Sequence, residues 1–202
     1  MPKFEIEILD KNTFKGFKNF TFNVPSSRRK VFLSDVLPIN QGLEYCALIS
    51  EACSNSFENQ QCINDFYGLF KLLKLPEGID SFVQLRNKVG LIEGRKIINA
   101  DIIKLIKETS KNSKDVFIQC STGDEEFCWK MNLDKFFSQD DLICDLPSSF
   151  GEYSVSDNLN TWFLKFRDDD SFFFLAAPKE LIEKICSQLG KYALRVPGDI
   201  IF

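Results

Sequence analysis

The pattern that most restricts the fold lies in two stretches of alternating apolar residues, each broken in the middle by acids. Val116 to Ser121 and Phe127 to Leu133 flank Thr122-Gly123-Asp124-Glu125-Glu126. Trp162 to Phe166 and Phe172 to Ala177 flank Arg167-Asp168-Asp169-Asp170-Ser171. Alternation at period two puts the apolar side chains of an extended chain on one face, and a short polar run between two such stretches suits a tight reversal. Each stretch therefore predicts an antiparallel β-hairpin, and a chain holding both must build and bury a sheet.

The remaining elements follow from the same periodicities. Phe4, Ile6 and Ile8 alternate with charge in residues 3–9, and Phe20, Phe22 and Val24 share one face of residues 17–24. These segments predict an N-terminal hairpin, with Arg28 to Leu33 as a third strand after Pro25-Ser26-Ser27. The middle changes character. Residues 41–54 and 60–75 carry apolar residues at helical spacing, with Ile63, Phe66, Tyr67, Phe70 and Leu73 on one stripe. Leu75-Pro76-Glu77-Gly78 ends that stretch. Asp80 and Asp101 are placed to cap helices running to about Val89 and Thr109. A short helix is expected over Asp134 to Asp141. Pro178 opens a helix that stops before Gly190, with Pro at its start and Gly past its end. Tyr192 to Val196 and Ile200 to Phe202 read as short tail strands. The expected fold class is α+β, with antiparallel hairpins from the N- and C-terminal parts, a helical middle section and a C-terminal helix. Residues 1–202 read as a single domain, with 1–114 and 115–202 as a candidate subdivision.

The chain of 202 residues contains no His, which removes the Ser-His-Asp triad, the Cys-His dyad and imidazole metal ligation. Seven cysteines (Cys46, Cys53, Cys62, Cys120, Cys128, Cys144 and Cys186) are odd in number, scattered and never spaced Cys-x-x-Cys. Together with a charged, alternating N-terminus in place of a signal peptide, they predict reduced thiols and a cytoplasmic location. No stretch of about 18 apolar residues is present to span a bilayer. Asn19-Phe20-Thr21 matches a glycosylation acceptor only by chance in that setting. The 21 Phe give large buried area on few rotatable bonds, and the richness in Phe, Lys, Ile and Asn fits an AT-rich coding sequence.

Several patterns suggest chemistry and do not sustain it. Gly90 and Gly94 are separated by three residues with Arg95 following, which lacks the spacing of a phosphate-binding Gly-rich loop. Arg28-Arg29-Lys30 is a small basic run on an acidic chain, suited to a solvated loop. Phe17, Phe20 and Phe22, with Lys15 and Lys18 nearby, offer a stacking platform for single strands only if exposed, and core burial is the expected use of those rings. Nothing distinguishes Asp140, Asp141 and Asp145 from surface acids. No catalytic residue, metal site or cofactor is assigned.

Charge supplies the remaining signal. Residues 1–114 hold 17 Lys plus Arg and 13 Asp plus Glu, a net of +4, while residues 115–202 hold 8 and 16, a net of −8, which together give the −4 of the chain. Asp124, Glu125 and Glu126 fall at one predicted turn, and Asp168, Asp169 and Asp170 at the other. Turns favour Asp for local reasons, but six acids gathered at one edge would attract a basic surface. Those six residues are the candidate partner-binding set. The expected function is a non-enzymatic protein-binding protein that masks a basic partner, such as a toxin domain, in the manner of a bacterial immunity or antitoxin-type inhibitor. The alternatives are an enzyme using carboxylate or Lys chemistry without His, and a structural or scaffold subunit. Neither a membrane nor nucleic acid is an expected partner.

Overall fold

A computed structural model of the chain describes residues 7–10, 14, 16–22, 37–40, 42–49, 71–75, 84, 100–122, 125–138, 152–167 and 172–198. In chain order its elements are β1 (Glu7–Leu9), β2 (Leu43–Ile49), α1 (Ala100–Thr109), β3 (Asp115–Thr122), β4 (Glu125–Asn132), α2 (Leu133–Phe137), β5 (Glu152–Asp157), β6 (Phe163–Arg167), β7 (Phe172–Pro178), α3 (Lys179–Leu189) and β8 (Ala193–Val196). The eight strands form one sheet in the order β1-β4-β3-β5-β6-β7-β2-β8, and every neighbouring pair is antiparallel.

The expected α+β arrangement with a helical middle is therefore corrected to a sheet-dominated fold in which α1, α2 and α3 are short helices among the described residues. The decisive segment is β2. Leu43-Glu44-Tyr45-Cys46-Ala47-Leu48-Ile49 lies within the stretch read at helical spacing, yet it runs as a strand between β7 and β8. Cys46, Ala47 and Leu48 are consecutive and all fully buried. A one-sided helix buries a stripe of every third or fourth residue, whereas a strand covered on both faces buries every residue in turn. Of the other middle segments, residues 71–72 are helical and turn at Leu73 and Lys74 into buried Leu75, Gln84 is helical, and the rest of 60–89 lies outside the described residues. The strand expected over Arg28 to Leu33 and the tail after residue 198 also lie outside them.

One face of the sheet carries the main core. The row Cys120–Tyr153–Phe166–Phe173–Leu48 crosses five strands through directly paired positions, and Ile118–Val155–Leu164–Leu175–Cys46 runs beside it. Tyr153 stacks on Phe166 with ring centroids 5.1 Å apart, and Phe166 meets Phe173 at 5.8 Å. The three helices close over these rows. Leu105 and Ile106 come from α1, Leu133, Phe136 and Phe137 from α2, and Leu181, Ile182, Ile185 and Leu189 from α3. Asn132 makes the change from β4 to α2 a sharp one, since its side-chain carbonyl accepts from the backbone N–H of Asp134 at 3.0 Å and of Lys135 at 3.2 Å. Beyond α3, Gly190 takes a positive φ of 54° as the C-cap, the conformation for which Gly suits a helix end.

The opposite face is covered differently. Residues 17–24 are expected as the second strand of an N-terminal hairpin; the described part, 17–22, does not join the sheet, and 23–24 lie outside the described residues. Residues 16–19 form a turn, and β1 pairs with β4 instead. Phe17, Phe20 and Phe22 each pack edge-on against Phe163 of β6, and Phe14 against Phe117 of β3. The alternation of aromatics thus serves a covering layer rather than a ladder. Asn40 fastens this layer to residues 37–40 by accepting from the Thr21 N–H at 2.6 Å and donating to the Asn19 carbonyl at 2.5 Å. Gly16 sits where the layer touches the sheet. A Cβ there would lie 2.5 Å from Phe117 Cβ and 2.5 Å from Phe14 Cζ. Gly16→Ala is therefore expected to cost about 1–3 kcal/mol through overpacking, read as a lower urea midpoint at unchanged m-value.

Candidate functional site

The strand ends that flank the two acidic runs are brought to one end of the sheet by β5. Hairpin β3–β4 closes at the Thr122–Glu125 pair, next to Ser121–Glu126. Ser121 of β3 pairs with Glu152 at the start of β5, and Glu152 pairs with Arg167 at the end of β6. The β6–β7 connection starts from that same point and returns through Phe172. Strands in a sheet lie about 4.8 Å apart, so β3 and β6 end roughly 10 Å from each other. Glu125 and Glu126 are exposed at this end. Asp124, Asp168, Asp169 and Asp170 lie outside the described residues, between strand ends that the register places side by side.

Nearby polar groups hold the described acids in place. Gln119 Nε2 donates to Glu126 Oε1 at 2.9 Å. Lys165 reaches Glu152 Oε1 at 3.3 Å and donates to Ser154 Oγ at 3.0 Å, which engages that cation inside the sheet. Further from the turns, Lys130 of β4 lies between Asp115 at 3.6 Å and Glu7 at 3.5 Å. Those two carboxylates, Asp115 first, hold its ammonium above the usual lysine range.

The far end of the sheet carries a polar cluster that the sequence reading missed, along with β5 itself. Asp157, fully buried at the end of β5, accepts from Ser113 Oγ at 2.5 Å, Thr161 N at 2.6 Å and Thr161 Oγ1 at 2.6 Å. Beside it Trp162 Nε1 donates to Ser110 Oγ at 2.6 Å. The Ser156 hydroxyl lies within reach of the Gly16 carbonyl and Asn160 Oδ1. The available signal was the alternation of Tyr153 and Val155 with Ser154 and Ser156, easily passed over because half of it is polar. A fully buried carboxylate holding three donors is a clamp between the α1–β3 connection and the β5–β6 turn.

Other groups offer little chemistry. Burial pushes the Cys46 thiol far above the usual thiol range, with Cys186 adding to the effect, and burial raises Cys186 as well. Both are therefore poor nucleophiles at neutral pH. An open cleft of about 310 Å³ between α1 and α3 is lined by Glu108, Lys111, Glu180 and Lys184 among others. Among the described residues no group of three His, Cys, Asp or Glu is arranged to hold a metal ion, and no helix is long and apolar enough to cross a membrane. Phe17 and Phe22 are half-buried and Phe20 is buried, so the rings expected in a core do not form a stacking platform. The basic run at residues 28–30, the glycines Gly90 and Gly94, and Asp140, Asp141 and Asp145 lie outside the described residues.

Comparison with models of known protein families, with curated proteins and with solved structures finds no match for this chain.

Proposed function

We propose that the protein is a non-enzymatic binding protein that acts in the cytoplasm and masks a basic partner with the acidic end of its sheet. The observation that supports this reading is the register. β5 pairs with β3 on one side and β6 on the other, so both acidic hairpins point their connections to the same end. Carboxylates grouped in this way raise the association rate with a positively charged surface and align it before contact. Occlusion then follows from the width of the sheet end. A toxin domain whose active surface binds phosphate is basic, which makes a bacterial immunity or antitoxin-type inhibitor the particular form of the proposal.

The test is capture from the producing cells with the wild-type chain and with the Asp168→Asn/Asp169→Asn/Asp170→Asn variant, followed by binding measurements on the retained protein. A basic partner is expected, with affinity lower by roughly tenfold in the variant at low ionic strength and a shallower dependence on salt. A partner bound equally well by both chains removes the β6–β7 acids from the site.

A further inference from the structure

No further inference is drawn: the strongest candidate, the open cleft between the end of α1 and the start of α3, rests on a helix N-terminus and the exposed charges of Glu108, Lys111, Glu180 and Lys184, and no unpartnered buried side chain among the described residues lines it to point to a ligand.

Discussion

Asp157→Ala is expected to destabilise the protein by about 3–5 kcal/mol, enough to consume a large part of the stability of an ordinary domain. The carboxylate is fully buried and accepts three hydrogen bonds, two from Thr161 and one from Ser113. Ala leaves the Thr161 N–H and two hydroxyls without their acceptor at a part-buried site, and a donor stranded in this way loses much of its compensation for desolvation. Asp157→Asn is expected to lose less, about 1–2 kcal/mol, because the amide oxygen still accepts from the Thr161 N–H while a hydroxyl must rotate to accept from the new NH₂. The effects of Asp157→Ala and Thr161→Ala should fall short of additive, since both remove the bond from Thr161 Oγ1 to Asp157. Urea denaturation of wild type, the three single variants and the Asp157→Ala/Thr161→Ala double variant checks the series. Equal midpoints for wild type and Asp157→Ala would mean that the cluster is solvated and that the carboxylate is not a clamp.

Phe163→Ala is expected to cost a similar 3–5 kcal/mol by a different route. Phe163 is 1% exposed on the face opposite the helices. Its ring centroid lies 5.2 Å from that of Phe17, 5.3 Å from Phe20 and 5.4 Å from Phe22, all edge-on. Removing it opens a cavity and takes away the common partner of the aromatic layer, so the loss combines transfer, cavity and ring–ring contributions. Amide exchange supplies the specific readout. The Phe20 N–H, which donates to the Phe17 carbonyl at 3.0 Å, should lose protection well before the amides of β3 and β5 do. Phe163→Leu, which keeps most of the volume, is expected to cost less than half as much. Uniform loss of protection across the whole sheet would mean that the layer has no stability of its own to lose.

Both residues stand where local sequence says least. The two later hairpins and the C-terminal helix were legible because each is a local pattern: alternation around a polar turn in 116–133 and 162–177, and a Pro-to-Gly frame around 179–189. β2 was misread because burial on both faces replaces alternation by a continuous apolar run from Tyr45 to Ile49, which a helix can mimic over so short a stretch. β5 was missed because Ser154, Ser156 and Asp157 are buried polar groups, satisfied by partners remote in sequence such as Gly16 and Ser113. Residues 17–24 have the period of a strand, but Phe17, Phe20 and Phe22 pack their rings as a cover, and period alone does not say whether a neighbour offers a ladder. The acids of the proposed site are visible in the sequence as composition between alternating stretches. The common end of the strands that flank them depends on β5 lying between the two hairpins, a long-range pairing that no local window contains.

Backbone amide mapping of the isotope-labelled protein during titration with a lysine oligomer at low salt tests the acidic end most directly. The expected result is that the amides of Thr122, Glu125, Glu126, Glu152, Arg167 and Phe172 shift together with one dissociation constant, that added salt abolishes the shifts, and that Asp115, Asn132 and Asp157 at the far end stay still. Shifts at only one hairpin, separate constants for the two, or a response centred on the far end would contradict a single acidic surface built from both turns.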